Sequence, residues 1–401
     1  MNVLVLNAGS SSQKCALYRL GGPPPNAAPP PLWEAHADGL QLSVKADTGA
    51  TLTQTLPSAA PAEALPHLLE TLWSGPAAVL GGPTEVAIVG HRVVHGGRNL
   101  REPTVLTPDI EADLAGLSAL APAHNPAALA GIGVARKTFT HAPQVAVFDT
   151  AFHAGLPDAA AVYPGPHRWA DEGLRRYGFH GISHAYAAER AAELLGRPLA
   201  ELRLVTLHLG NGCSLAAVRG GRSVDTTMGF TPLEGLMMGT RSGSVDPGLL
   251  LYLLREEGLS ADDLDRILNR EAGLKGLSGL SGDLREVSAA ADAGDVRAAL
   301  ALAVYVHRIR FHVGAMLPSS GGLDALVFTG GVGENSARVR REVCAAFGFL
   351  GLELDPEKND GRPVDADVAA AASPVRALVV RAQEAWAIAR SCYAVAARSE
   401  G

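Results

Sequence analysis

Cysteine is scarce in this chain, with four in 401 residues, and no two of them form a CxxC pair. Cys15, Cys213, Cys344 and Cys392 lie far apart in mostly apolar surroundings. That excludes a disulfide framework and fits small core residues of a cytosolic protein. No apolar run approaches the roughly 18 residues of a membrane span. The opening MNVLVLNAGSSSQK has no basic region before its short apolar run. The run therefore reads as a strand and not as a signal peptide, and a cytoplasmic protein with no membrane partner is expected. Basic charge is also short: 34 Lys and Arg against 41 Asp and Glu give −7. No basic face is evident that would make nucleic acid a main partner. Lysine is rarest among the charged residues, at positions 14, 45, 137, 275 and 358 only. The P-loop pattern, the GxGxxG dinucleotide fingerprint, HExxH and GxSxG are all absent. These absences remove the standard signals for P-loop enzymes, dinucleotide domains, zinc proteases and α/β-hydrolases.

What remains is a globular composition, 47% hydrophobic and 19% charged. At about 150 residues per domain the length favours two or three domains. Glycine is abundant, at 45 residues, and clustered. Short apolar runs end in polar or glycine-rich clusters at 85–97, 144–153, 203–218 and 325–335. Helical patterns lie between them, as in 183–196 and 296–317. Strands alternating with helices predict an α/β fold with buried mixed sheets, whose ligands gather where strands end in turns. The first 20 residues read as strand, turn, strand; 40–56 as an edge hairpin; 61–73 as a short helix; the proline-rich 21–31 as a surface loop. LVLNAGSSS at 4–12 is echoed by VTLHLGNGC at 205–213. Strand–turn–strand is common, so chance and duplication both remain open for this echo.

The turn Asn7-Ala8-Gly9-Ser10-Ser11-Ser12-Gln13-Lys14 offers backbone N–H and hydroxyl groups to a phosphate or hydrated cation. It also suits an ordinary hairpin. His208-Leu209-Gly210-Asn211-Gly212 is its echo, and Gly330-Gly331-Val332-Gly333-Glu334-Asn335 follows an apolar strand as a nucleotide-binding turn would. Asp283-Leu284-Arg285 is a charged turn. Arg92 in GHRVVHGG and Arg241 in GTRSG have small neighbours that leave a guanidinium room to fork onto a carboxylate or phosphate, although either also suits a structural ion pair. Asp149 ends an apolar run, His180 lies between Phe and Gly, and Glu384 sits at a strand-to-helix junction. His91 with His95, and His180 with His184, are spaced four apart, but no Cys accompanies them as in a zinc site.

Taken together, NAGSSSQK, GHRVVHGG, HNPAAL, VFDTAFH, RRYGFHGISH, LHLGNGCSLAAV, SVDTTMGFTPLEGLMMGTRSG, GLSGLSGDLRE and VFTGGVGENS resemble the acetate kinase family of carboxylate phosphotransferases, in family order over nearly the whole chain. The resemblance implies a duplicated actin-like ATPase (ribonuclease H-like) α/β fold, with the active site in the cleft between two domains. It implies domains of 1–150 plus 386–401 and of 151–385, and a homodimer. It implies reversible phosphoryl transfer from ATP to acetate, giving acetyl phosphate and ADP, with Mg2+ (or Mn2+ in its place). Asp149, His180 and Arg241 are the implied catalytic set, with Arg92 on the substrate carboxylate. Val94, Ala123, Phe179 and Pro232 are the implied pocket for the methyl group. Lys14, His208, Leu209, Gly210, Asn211, Gly212, Asp283, Leu284, Arg285, Gly331, Val332, Gly333, Glu334 and Asn335 are the implied nucleotide contacts. Asn7 and Glu384 are implied on the magnesium side.

The chain departs from the family pattern at Ala123, where Leu is usual, at Ile182 for Thr, Ser244 for Asp and Ala385 for a second Glu. The smaller Ala123 predicts comparatively good use of propionate. A propionate or butyrate kinase is accordingly the alternative, and a non-catalytic nucleotide-binding switch is an alternative of another class. Because acetate is ionised at neutral pH, its oxygen needs no general base, so Asp149 is expected to orient an arginine or the metal's water shell.

Overall fold

The computed structural model describes residues 1–8, 12–119 and 125–399. The chain divides into two compact units, Met1–Ala154 with Gln383–Gly401, and Gly155–Ala382.

The first unit is built on an eight-stranded sheet: β1 (Asn2–Ala8), β2 (Ser12–Arg19), β3 (Trp33–Asp38), β4 (Gln41–Ala46), β5 (Thr51–Thr55), β6 (Ile88–Val93), β7 (Thr104–Val105) and β8 (Gln144–Phe148). The order is β5-β4-β3-β2-β1-β6-β8-β7. Alternation fixes the outer strands: Trp33, Ala35 and Ala37 of β3 and Leu42, Val44 and Ala46 of β4 point inward, and their polar neighbours point out. β4 and β5 form the hairpin read from the sequence, with β5 at the edge. The central β1 and β8 are apolar on both faces, as strands covered on both sides must be. Helices Pro61–Glu70 and Asn125–Thr138 pack one face, joined to the sheet through Leu65, Leu68, Ala135 and Phe139. Helix Glu384–Ser399 packs close on β6, where a β-carbon at Gly90 would lie 2.5 Å from the Cys392 sulfur and 2.7 Å from an Ile388 methyl.

The second unit carries a six-stranded sheet: β9 (Arg203–Leu209), β10 (Cys213–Arg219), β11 (Arg222–Thr226), β12 (Ala325–Thr329), β13 (Ala366–Asp367) and β14 (Arg376–Val379), in the order β11-β10-β9-β12-β14-β13. Helix Gly181–Leu195 lies on the face carrying Thr206 and Ser214, and the long helix Val296–Ser320 lies on the other, where Tyr305 meets Cys213.

The two sheets share one central topology. β3-β2-β1-β6-β8 and β11-β10-β9-β12-β14 have the same order, with antiparallel pairing up to the central strand and parallel pairing beyond it. The echo at 4–12 and 205–213 is this repeat, since β1 and β9 begin at Asn2 and Arg203 and β2 and β10 at Ser12 and Cys213. The duplicated α/β fold expected from the sequence is the fold found. All four cysteines are free and buried. Among the described residues no helix is long and apolar enough to cross a membrane.

Candidate functional site

In the first unit the carboxyl ends of three parallel strands bring polar side chains together. Asn7 and Arg92 lie near the ends of β1 and β6, and Asp149 follows β8, its N–H bonded to the Val93 carbonyl at 3.0 Å. Glu384 is the first residue of the helix that packs on this sheet. The Arg92 guanidinium donates through Nε to both Asp149 oxygens at 3.2 and 3.1 Å and through Nη2 to Oδ2 at 2.6 Å. Its Nη1 donates to Asn7 Oδ1 at 3.3 Å and lies 3.5 Å from Glu384 Oε2, which also accepts from Asn7 Nδ2 at 3.3 Å. Asp149 is 1% exposed. Burial pushes its carboxyl up from the usual carboxylate range, and the charge and N–H groups of Arg92 pull it back. Burial opposes the Arg92 charge in turn, and Asp149 and Glu384 outweigh that, holding the guanidinium above its ordinary value. Asp149 takes the Nε/Nη2 edge of the fork and thereby sets the direction of Arg92.

In the second unit the equivalent strand ends carry different groups. His180 holds a left-handed backbone, φ 56° and ψ 23°, just before helix Gly181–Leu195. Such a conformation costs a non-glycine residue about 1–2 kcal/mol, and its persistence marks a site the fold constrains. The His180 ring stacks on His208 with centroids 4.3 Å apart and a 23° tilt. Its Nδ1 meets Ser214 Oγ at 2.8 Å. Ser214 Oγ also meets His184 Nε2 at 2.8 Å, and His184 Nδ1 meets Thr206 Oγ1 at 2.7 Å. His208 is held by Ser183 Oγ at 2.8 Å. A β-carbon at Gly212 would lie 3.3 Å from both His180 Nε2 and Arg241 Nη2, so glycine there keeps the turn, the imidazole and the guanidinium together. Arg241 donates from Nη1 to the Pro232 carbonyl at 2.7 Å. Among the described residues no carboxylate pairs with it, and burial pushes its value down. A largely buried, unpaired guanidinium marks a place built for an anion.

The glycine turns lie beside this group. β9 and β12 are parallel neighbours, with Thr329 opposite His208, so the turns after both strands share one edge of the sheet. Gly239 N donates to the Asn211 carbonyl at 3.1 Å, and Gly282 packs on Gly239, which brings the Asp283-Leu284-Arg285 turn to the same edge. Asp283 caps helix Leu284–Asp292 and pairs with the exposed Arg285. Leu209 and Leu284 are buried. Within helix Gly330–Asn335, Asn335 donates to the Gly331 carbonyl and Gly333 is buried, while Gly331 is exposed. Glu334 is turned to the Ala382 N–H at 3.0 Å, and burial raises its value.

Other expected residues are placed less centrally. Lys14 is exposed on β2, opposite Asn7 in the register. Val94 is half-buried after β6, Phe179 is buried before His180, and Ala123 lies outside the described residues. His91 is bonded to Gln144, and burial lowers both His91 and His95 to about 4, so both are neutral core histidines. Ser244, at a position where the family has an acid, binds the Gly235 N–H at 2.9 Å. Sequence reasoning did not single out Arg340. Its buried guanidinium donates to the carbonyls of Gly333 and Glu334 at 2.9 and 2.7 Å and to both oxygens of Asn359, which makes it the brace under the 331–335 turn. The proline-rich loop has a contact too: its Asn26 carbonyl accepts from the buried Trp386 Nε1.

The duplicated mixed α/β fold with two polar strand edges defines the architecture, and comparison with known proteins gives the class. The model of the acetokinase family matches residues 2–390. The chain is 58% identical over 401 residues to an acetate kinase of Gloeobacter violaceus, covering 98% of this chain and 99% of that one. It is similar to the crystal structure of Porphyromonas gingivalis acetate kinase, with TM-score 0.89, 38% identity and coverage of 98% and 99%. It is equally similar in TM-score, 0.89, to a propionate kinase from Francisella tularensis at 35% identity, with coverage of 98% and 99%. The chain belongs to the acetokinase family, and it is an enzyme of that family, a phosphotransferase.

Proposed function

We propose that the enzyme transfers the terminal phosphoryl group of ATP to acetate, reversibly and with Mg2+, giving acetyl phosphate and ADP. The observation that carries the reading is Arg241, a half-buried guanidinium with no carboxylate partner among the described residues, beside His180 and the glycine turns. Phosphoryl transfer asks a protein mainly to position two anions in line and to stabilise charge on the equatorial oxygens. Arg241 and His180 are assigned to that charge. The backbone of 208–212 and 331–335, with Lys14 and 283–285, is assigned to the nucleotide. Arg92, aimed by Asp149, is assigned to the acetate carboxylate, and Val94, Ala123, Phe179 and Pro232 to its methyl group.

The first unit suits a hard divalent cation. One guanidinium and two carboxylates leave a formal charge of −1 around Asn7, and the donors are oxygens. Among the described residues no three His, Cys, Asp or Glu side chains converge to hold a metal. A cation here would take one or two side-chain oxygens and complete its shell with water and phosphate, the habit of Mg2+. Asn7 and Glu384 would hold it, partly through water, and when bound it would neutralise phosphate charge. Direct transfer predicts inversion at a chiral phosphorus, and retention would overturn it.

Propionate use is the second reading, supported by Ala123 in the sequence and by the likeness to a propionate kinase. Acyl hydroxamate formed from acetate, propionate and butyrate with Mg-ATP and hydroxylamine separates the acids. A homodimer is proposed as well, since helix Pro247–Arg255 buries none of its residues and leaves Leu251 and Tyr252 49% and 53% exposed. Sedimentation of the protein at micromolar concentration tests it, and a monomer would contradict it. The same reading carries a cytoplasmic location.

A further inference from the structure

Behind His180 runs a line of side chains that the family assignments do not use. Thr206 lies on β9, Ser214 on β10 and His184 one helical turn after His180, and all three are buried. His180 precedes the helix and His184 lies in its first turn, and both imidazoles reach the one serine. One order of protons satisfies the bonds along this line. The Thr206 hydroxyl donates to the Ala216 carbonyl at 3.4 Å, so its oxygen accepts the Nδ1–H of His184. With that nitrogen protonated and the ring neutral, His184 Nε2 accepts the Ser214 O–H. The only proton of Ser214 is then committed, and Ser214 Oγ can only accept from His180 Nδ1. With Ser214 donating to His184, both the cationic ring and the Nδ1-protonated neutral ring of His180 fit this order. The Nε2 edge is left beside Gly212 and Arg241.

We propose that Ser214, backed by His184 and Thr206, is a positioning residue for phosphoryl transfer: it fixes the His180 ring and its Nδ1 proton, so that Nε2 is always the working edge. The proposal rests on the reading that His180 acts on the transferring phosphoryl group. The stack on His208 restrains the ring from tipping, and the bond to Ser214 restrains it from turning in its own plane. Misplacing a catalytic group by a fraction of its bond distance costs rate while leaving substrate affinity in place.

The test compares S214A, S214C and H180A in the hydroxamate assay, with 15N-histidine NMR of each protein. H180A identifies the His180 signal by its loss. S214A is expected to lower kcat about tenfold, with KM for Mg-ATP and for acetate within roughly twofold of wild type. The His180 spectrum is expected to change from an Nδ1-protonated ring to a mixture of tautomers. S214C, with a weaker acceptor of similar shape, is expected to fall between the two and serves alone if S214A does not fold. Wild-type kcat in the serine variants, or an unchanged His180 tautomer, with H180A inactive, would overturn the proposal. Wild-type activity in H180A would instead remove the reading beneath it.

Discussion

The two strand edges occupy the same place in the same topology, yet their chemistry is opposed. Asn7 in one sheet and His208 in the other are offset by the 201 residues of the repeat, one near the end of β1 and one near the end of β9. Beside Asn7 the guanidinium and the carboxylates pair with one another: Arg92 is locked to Asp149 and reaches Glu384. Around His208 the groups are imidazoles, hydroxyls and glycine turns, and among the described residues no carboxylate pairs with the Arg241 guanidinium, which donates to a carbonyl. A net negative cluster of oxygens attracts a cation, and an unpaired arginine among backbone N–H groups attracts phosphate. A duplicated fold thus supplies two scaffolds, and on the proposed reading the first carries the groups for the metal and acetate and the second those for the transferring phosphoryl group and most of the nucleotide.

The division can be broken at its strongest point first. Arg241→Ala is expected to lower kcat by about 10²–10³, as removal of a preorganised charge stabiliser does; steady-state hydroxamate rates check it. Asp149→Asn keeps the shape but loosens Arg92, and is expected to cost about tenfold to a hundredfold in kcat/KM for acetate, with little change for ATP. An equal loss for both substrates would contradict the orienting role. Gly212→Ala places a methyl against His180 and Arg241, and a smaller loss, about tenfold in kcat, is expected.

Stability sharpens the same contrast. His91 and His95 sit at about 4 in the fold, against an ordinary value of 6.5. The unfolded chain therefore takes up these protons first as pH falls. The stability they carry is present above pH 6.5 and is lost down to about 4. Each lowered value is worth on the order of 2–3 kcal/mol over that window. Thermal melting from pH 7 to 4.5 is expected to fall steadily, with a shallower slope in His91→Gln. The smallest effect is specificity: Ala123→Leu is expected to lower the propionate-to-acetate ratio by a few-fold, since one methylene is worth about 1–3 kcal/mol.

Much of this was legible in the residues. The apolar runs ending in glycine clusters located β1, β6, β8, β9 and β12, and the weak echo at 4–12 and 205–213 proved to be the structural repeat. The arginines, Asp149, His180 and Glu384 were legible because each breaks an apolar or small-residue context. The supports behind them were not. Ser214 reads as one more small residue of a buried strand, and its role depends on a helix packing across it. Arg340 stands in RVRREV, which looks like a solvated helix face, and only the fold shows its side chain buried under Gly333 and Glu334. The Asn26 contact with Trp386 joins segments 360 residues apart, beyond any local signal.

The most direct test of the account is acyl hydroxamate formation by the purified protein with Mg-ATP, hydroxylamine and acetate, run beside Arg241→Ala. The account predicts strong signal from the wild-type protein and a loss of about 10²–10³ in the variant. No hydroxamate from any short carboxylic acid, in folded protein that still binds ATP, would contradict it.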